Sequence, residues 1–162
     1  MPKSVVVVAG VAGSGKSRTL HRIADGHELV DNRVYSIMGR RTCIYFSSAQ
    51  ELTCGKCDYK LVIENIKRII EECESQGCDL LIIAFTMYVK KGRKNEDCIR
   101  RPLKYLRRKV KNVRLIYLRK DTARKIDLVD DLMLRLKAKT IKSNKKYTRQ
   151  AREVLAVVRS VP

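Results

Sequence analysis

A glycine-rich segment directly after a run of valines constrains this chain more than any other feature. Residues 10–17 read Gly-Val-Ala-Gly-Ser-Gly-Lys-Ser, and they follow the apolar run Val5–Ala9. Five consecutive apolar residues bounded by glycine indicate a buried strand, and Leu20 and Ile23 have the spacing of one helix face. The segment therefore predicts a strand, a tight glycine turn and a helix that begins near Lys16.

The residue types in this turn suit the binding of a phosphate group. Glycines allow backbone conformations that other residues avoid, so successive N–H groups can point at one anion at the start of a helix. Lys16 would reach the β- and γ-phosphates, and the Ser17 hydroxyl would join the Mg²⁺ shell. A glycine turn followed by a chance Lys-Ser pair is the alternative. The predicted phosphate-binding set is Gly10, Gly13, Ser14, Gly15, Lys16 and Ser17.

This pattern resembles the P-loop NTPase superfamily over about the first 25 residues. The rest of the chain is similar to the general layout of small P-loop kinases, such as the polynucleotide-kinase group. The resemblance implies a three-layer α/β/α fold with a mostly parallel sheet, and ATP or GTP bound with Mg²⁺. It does not supply the second substrate.

The remaining sequence alternates between predicted strands and helices, which favours a parallel α/β sheet. The 162 residues suit one domain, 1–162, that buries roughly 70% of its unfolded surface. No run of about 18 apolar residues indicates a membrane span, so we expect a cytoplasmic protein without a membrane partner. The predicted strands are His27–Val30, Val34–Met38, Thr42–Phe46, Leu80–Phe85 and Val113–Leu118, with a hairpin around Gly39-Arg40-Arg41. The predicted helices are Tyr59–Ser75, one through Ile99 and Val110 that starts or kinks at Pro102, one through Ile126 and Leu136, and one through Tyr147 and Val158.

A hydroxyl stands where the resembled enzymes carry a carboxylate. The strand Leu80–Phe85 leads into Thr86, whereas the polynucleotide-kinase group often has Asp-x-Thr at this strand end. Thr86 would hold a metal-bound water or the γ-phosphate, or it would cap the strand with a hydrogen bond. Whether the nucleotide is turned over stays open at this point.

The resemblance also suggests groups for phosphoryl transfer. Asp31, at the end of the predicted strand His27–Val30, fits loosely the Asp that contacts the acceptor hydroxyl and acts as its base, although Asp-Asn also favours a surface turn. In these kinases a lid follows the strand that corresponds to Val113–Leu118, and its arginines neutralise charge on the transferred phosphoryl. Arg119, Arg124 and Arg135 lie in or after this region.

Positive charge is concentrated in the second half of the chain. The net charge is +19, yet residues 1–85 hold 11 basic and 10 acidic residues, against 25 basic and 7 acidic in residues 86–162. Such a field favours a polyanionic partner, and we expect nucleic acid. A solvated helix face is the alternative. The predicted basic stripe, at helical spacing, is Arg100, Lys104, Arg107, Arg108 and Lys111.

Six cysteines suggest a metal site, but their spacing argues against the obvious one. Cys54 and Cys57 followed by Cys73 and Cys78 superficially resemble a zinc site. A helix over Tyr59–Ser75 would separate the two pairs by roughly 24 Å, far beyond a Zn–S bond of about 2.3 Å. A disulfide or redox-sensitive Cys54/Cys57 pair is an alternative, and we expect reduced, partly buried thiols.

Together these features predict an ATP- or GTP-binding phosphotransferase that acts on a polyanion, such as a nucleic acid with a free 5′-hydroxyl. Phosphoryl transfer needs mainly positioning and charge neutralisation, and Lys16 and the lid arginines supply both. An NTPase without an acceptor is one alternative. A nucleotide-binding module associated with nucleic acid is another, and the Thr86 strand end favours it.

Overall fold

The computed structural model describes residues 1–11, 14–24, 33–45, 58–87, 93–120, 127–143 and 147–162. Within these ranges the chain forms a six-stranded sheet and five helices, which confirms the predicted α/β class and mostly parallel sheet. The strands are β1 (Ser4–Val11), β2 (Arg33–Ile37), β3 (Arg40–Tyr45), β4 (Leu80–Met87), β5 (Asn112–Lys120) and β6 (Lys139–Ser143). The helices are α1 (Lys16–Ile23), α2 (Tyr59–Ser75), α3 (Arg93–Lys109), α4 (Asp127–Arg135) and α5 (Tyr147–Ser160).

Strand β1 lies in the middle of the sheet, whose order is β2-β3-β4-β1-β5-β6. It pairs in parallel with β4 and with β5, so that Val8 lies between Ala84 and Ile116. Strands β3 and β6 continue the parallel sheet on either side, and β2 is the antiparallel edge strand. The five residues from Val5 to Ala9 are fully buried, which explains why this strand is a continuous apolar run rather than an alternating one.

Helices cover both faces of the sheet. The side chains of Val5, Val7 and Ala9 belong to an apolar cluster with α2, α3 and α4, whereas Val6 and Val8 belong to one with α1 and α5. The alternation of β1 side chains between two helical layers is what a parallel sheet requires, because each face must be shielded from water.

Helix α2 has the bounds that the sequence predicts. It begins after Asp58, whose carboxylate accepts a hydrogen bond from the backbone N–H of Lys60 at 2.9 Å. It ends in a Schellman motif, in which Gly77 (φ 67°) donates to the Glu74 carbonyl and Cys78 donates to the Cys73 carbonyl. The cap at each end thus fixes where the chain leaves the helix.

Two predictions about the second half of the chain need correction. Strand β6 was not predicted, because Lys-Thr-Ile-Lys-Ser has one apolar residue and reads as a polar loop. Helix α3 does not start at Pro102 but nine residues earlier, at Arg93, and contains the proline in its interior. No helix in the described ranges is long and apolar enough to cross a membrane. The prediction for His27–Val30 concerns residues outside the described ranges.

The hairpin between β2 and β3 turns one position earlier than expected. Met38 and Gly39 form the two-residue loop with φ of 53° and 75°, and Arg40 and Arg41 belong to β3. Positive φ at both loop residues is the signature of a type I′ turn, which matches the twist of the flanking strands. The first loop position favours asparagine, which adopts positive φ at little cost, whereas the backbone of a residue such as Met38 is strained there.

We therefore expect Met38→Asn to stabilise the fold by about 0.5–1 kcal/mol, since asparagine tolerates the left-handed backbone conformation at little cost. Met38 is 42% exposed, so little packing is lost. Thermal unfolding followed by circular dichroism should give a melting temperature that is a few degrees higher. Met38→Val should lower it, because a β-branched side chain suits this conformation least. Equal melting temperatures for both variants would contradict a type I′ turn.

Candidate functional site

The glycine-rich segment lies at the carboxyl end of β1, between β4 and β5. Strands β4 and β5, which follow one another in the chain, lie on opposite sides of β1, so the strand order reverses here. Ligands of open α/β sheets bind in the crevice at such a reversal. Gly10 is the register partner of Thr86 on β4. On the other side, a Cβ on Gly10 would lie 3.1 Å from the Leu118 carbonyl oxygen of β5 and would collide with Ser14. Glycine at position 10 therefore lets the Ser14 side chain and the Leu118 carbonyl approach β1 this closely.

Lys16 occupies the first position of α1, and its side chain turns back over the loop. The residue is only 9% exposed. Its ammonium donates to the carbonyl oxygens of Gly10 at 2.9 Å and Val11 at 3.1 Å. This places a positive charge at the N-terminal end of a helix, where the helix dipole adds further positive potential. Both features make the local electrostatic potential at the start of α1 positive.

The turn before α1 depends on Gly15. This residue has φ of 86°, and a Cβ there would lie 2.6 Å from Cε1 of Tyr147, the first residue of α5. The Arg18 guanidinium stacks on the same tyrosine ring, 5.2 Å from its centroid. Behind the ring, the Thr19 hydroxyl donates to Oε1 of Gln150 at 2.8 Å in the interior. The start of α5 therefore covers the turn at Gly15.

Sequence reasoning missed the role of Tyr147 and Gln150. Tyr147 counted only as one apolar position of the last helix, and Gln150 was not considered. The available signal was Gln150 itself, a polar residue adjacent to the apolar face of α5 that the structure buries completely. A buried amide requires a hydrogen-bonding partner, and Thr19 on the opposing helix provides one.

Two hydroxyl groups belong to the same edge of the sheet. Ser17 is exposed in the first turn of α1, next to Lys16. Thr86 is half-buried on β4, beside Gly10 of β1, and follows the buried Phe85. The predicted placement of Thr86 at the carboxyl end of a central strand agrees with this register.

Arg119, predicted as a lid residue, is engaged by a carboxylate that the sequence analysis did not single out. Its Nε donates to Oδ2 of Asp130 at 3.2 Å, and the hydroxyl of Tyr117 donates to Oδ1 of Asp130 at 2.8 Å. Burial and the hydrogen bond to Asp130 raise the pKa of Tyr117, so its phenol stays protonated and donates. Asp130 thereby ties α4 to the end of β5.

Another predicted lid arginine is paired as well. Nη2 of Arg135 donates to Oε1 of Glu96 at 2.9 Å, in an exposed ion pair between α4 and α3. Arg124 lies outside the described residues, as do Gly13 and the predicted base Asp31. The structure therefore brings Gly10, Lys16 and Thr86 together and leaves the roles of Asp31 and Arg124 as predictions.

The predicted basic stripe divides between two sides of α3. Its members Arg100, Lys104 and Arg108 line a groove of about 370 Å³ together with Arg101, Tyr59, Ile63 and Tyr105. Arg107 lies outside this set, and its Nη2 donates to the Leu136 carbonyl at 3.0 Å. Lys111 is exposed in the turn after α3. Three of the five cations of the stripe thus lie on the side of α3 that faces α2.

Tyrosine rings are interleaved with the cations of this groove. The Arg101 guanidinium lies 4.4 Å from the centroid of the Tyr59 ring, and Arg108 lies 5.9 Å from that of Tyr105. Asp97 neutralises part of the charge, because it accepts from Arg100 at 2.9 Å and approaches Arg101 at 3.5 Å. The adjacent pair Lys104-Tyr105 was the sequence signal for an aromatic in the stripe.

The cysteines are arranged differently from the sequence-based expectation. Cys43, Cys73 and Cys78 are free and buried, as expected for reduced thiols. Cys98 is disulfide-bonded, so that expectation is wrong for this residue. The considered zinc ligands Cys54 and Cys57 lie outside the described residues.

A comparison with known protein families finds no match, and no curated protein or solved structure is significantly similar to this chain. Its function is therefore inferred from the chemistry of the residues described above.

Proposed function

We propose that this chain is a P-loop protein that binds ATP or GTP at residues 10–17 and transfers the terminal phosphoryl group to a hydroxyl of a nucleic acid. The observation that carries the proposal is Lys16, held by the Gly10 and Val11 carbonyls at the start of α1. A buried lysine that hydrogen-bonds to loop carbonyls beside a helix N-terminus suits the binding of a polyphosphate.

The position of this lysine supports a nucleotide rather than a small anion alone. The loop lies at the carboxyl edge of the sheet, at the reversal of strand order on either side of β1. The phosphates would lie against the backbone after Gly10, and Lys16 would turn from its carbonyl partners to the β- and γ-oxygens. That exchange replaces hydrogen bonds to neutral carbonyls with stronger ones to charged oxygens.

The residues present also fit magnesium bound with the nucleotide. Mg²⁺ keeps several water ligands and takes others from phosphates, so it needs few protein ligands. Ser17 and Thr86 would supply neutral oxygens from adjacent elements of the same edge. Magnesium in this position would neutralise charge on the phosphates.

The groove between α2 and α3 is the surface that we assign to the acceptor. Its cations Arg100, Lys104 and Arg108 suit the phosphates of a nucleic acid backbone, and the rings of Tyr59 and Tyr105 suit unpaired bases. Tyr59 is the first residue of α2, and both helices follow strands that end at the nucleotide edge. A strand bound in the groove would therefore lead toward that edge.

A specific observation favours a second candidate, a module that binds nucleotide without turnover. The described lid arginines, Arg119 and Arg135, are paired with Asp130 and Glu96. Thr86 stands where the resembled kinases carry an acidic residue. Such a protein would still bind nucleotide through Lys16.

Lys16→Ala should weaken ATP and GTP affinity by at least about 10- to 100-fold, since charge-assisted hydrogen bonds to phosphate contribute roughly 1.5–3 kcal/mol each. Isothermal titration calorimetry with Mg²⁺ present measures this directly. Lys3→Ala is the matched control, because Lys3 is an exposed lysine before the opposite end of β1. Unchanged affinity in a folded Lys16→Ala protein would refute nucleotide binding at the loop.

Phosphoryl transfer is tested with γ-labelled ATP and GTP against single-stranded oligonucleotides that carry a 5′-hydroxyl. We expect label on the oligonucleotide that depends on Mg²⁺ and is lost in Lys16→Ala. A small-molecule hydroxyl acceptor and a 5′-phosphorylated oligonucleotide are the control acceptors. Release of labelled phosphate without acceptor would indicate an NTPase. Tight nucleotide binding without any turnover would favour the second candidate.

The double variant Lys104→Ala/Arg108→Ala should reduce the salt dependence of nucleic-acid binding. Each lost phosphate contact makes the negative slope of log K against log salt shallower by about 0.9 for duplex and about 0.7 for single strands. Loss of two contacts should therefore make the slope shallower by about 1.8 for duplex and about 1.4 for single strands. Fluorescence anisotropy at several salt concentrations measures the slope. Lys139→Ala/Lys142→Ala removes the same charge from β6 and should leave the slope unchanged.

Tyr105→Leu separates stacking from charge at the same groove. It should lower single-strand affinity by roughly 5- to 150-fold, equivalent to 1–3 kcal/mol of base stacking, with the salt slope unaltered. If the groove and β6 double variants change the salt slope equally, the stripe is an ordinary solvated helix face and not a nucleic-acid site.

A further inference from the structure

Three cysteines from different segments meet in the interior, in a part of the protein that the proposed function does not use. Cys43 lies on β3, Cys73 in the last turn of α2, and Cys78 two residues before β4. Their Sγ atoms all lie within 4.8 Å of one another, and those of Cys43 and Cys78 are 2.9 Å apart. All three residues are 5% exposed or less.

We propose that Cys43, Cys73 and Cys78 form a structural zinc site. Thiolates are the preferred ligands of zinc in structural sites, and such sites are closed to solvent. Three sulfurs in mutual contact provide most of a tetrahedral ligand set. The inference is independent of the nucleotide and nucleic-acid proposals.

The local backbone explains why two of these sulfurs come together. Cys73 and Cys78 occupy the two positions of the Schellman motif whose side chains commonly make an apolar contact. In α4 the same motif places Met133 and Ala138 at these positions, with the corresponding bond from Ala138 N–H to the Met133 carbonyl at 3.1 Å. An ordinary apolar contact needs only this pair, whereas the cluster at α2 adds a third thiol from β3.

The spacing of the sulfurs fits a metal ion after a small adjustment. Tetrahedral zinc with Zn–S bonds of about 2.3 Å holds its sulfurs roughly 3.8 Å apart. The measured separations, 2.9 Å for one pair and at most 4.8 Å for the others, differ from this value by about 1 Å or less. Side-chain rotation suffices for such a change, so β3 and α2 can keep their positions.

Neighbouring polar groups suit the fourth ligand and the charge. Oε1 of Gln76 accepts a hydrogen bond from Cys43 Sγ at 3.2 Å, and we assign this oxygen to the fourth position. Three thiolates and Zn²⁺ carry a net charge of −1, and Arg41, which donates to the Gln76 carbonyl at 2.9 Å, offsets it. Copper(I) would leave a net charge of −2 and fit this environment less well.

Zinc binding would displace the protons of the three thiols. Burial and the hydrogen bond with Cys43 raise the pKa of Cys78 to about 12, and the Arg41 guanidinium opposes that shift. Because the sulfurs are buried, zinc would enter while the chain folds, and its binding energy would contribute to folding. The ion would link β3, α2 and the segment before β4, which pack together in one apolar cluster.

The metal content of the purified full chain, desalted after reduction, tests this inference. Mass spectrometry of metals should find one zinc per chain in the wild type and none in the triple variant Cys43→Ala/Cys73→Ala/Cys78→Ala. Cobalt(II) present while the unfolded, chelator-treated chain refolds should give the near-ultraviolet charge-transfer bands of thiolate ligands. Each single Cys→Ala variant should lose more zinc affinity than the roughly 10- to 100-fold that loss of an outer-shell partner costs.

Ile70→Ala is the matched control, because it opens a cavity in the same apolar cluster and leaves the thiols in place. It should lower the melting temperature and keep one zinc, and Lys16→Ala should keep zinc whatever its effect on nucleotide. Three outcomes would overturn the proposal: a reduced wild-type chain that binds no zinc, copper(I) bound in preference to zinc, or a Cys43–Cys78 disulfide found by peptide mapping without reductant.

Discussion

The burial of β1 on both faces is the constraint on which the rest of the structure depends. Because Val5 to Ala9 are inaccessible, each neighbour of this strand must shield it, with β4 and β5 at its sides and helices above and below. A strand enclosed in this way exposes only its ends. Its carboxyl end opens at the reversal of strand order, which is where ligands of open α/β sheets bind.

Positive charge is distributed unevenly between the two halves of the chain. Residues 1–85 are nearly neutral in sum, so the buried Lys16 ammonium and the α1 dipole form a local positive site within a half of low net charge. The excess of cations lies in residues 86–162, and part of it lines the groove between α2 and α3. The proposed polyphosphate site would need a local charge and the proposed nucleic-acid surface an extended field, and the two kinds of positive charge lie in different parts of this chain.

The sequence predicts those features that periodicity or a cap determines. Strand β1, the bounds of α2 and the class of the sheet follow from apolar spacing and from Asp58, whereas β6 carries one apolar residue and owes its strand conformation to pairing with β5. Tertiary proximity is not encoded in local spacing. For this reason the pair Arg119–Asp130, the cover that Tyr147 provides over Gly15 and the approach of Cys43 to Cys73 were missed, since each joins residues from separate elements.

The Arg119–Asp130 pair bears on the choice between the two candidate functions, and its magnitude matters. Its side chains are 37% and 26% exposed, so water screens the pair, and such bridges contribute about 0–1 kcal/mol. A hydrogen bond from arginine to a charged phosphate contributes roughly 1.5–3 kcal/mol. A γ-phosphate within reach of Arg119 would compete with Asp130 for the guanidinium, while Tyr117 would still hold the carboxylate in place. Because the Arg119–Asp130 pair is partly exposed, it is a weaker argument for binding without turnover than the hydroxyl at Thr86.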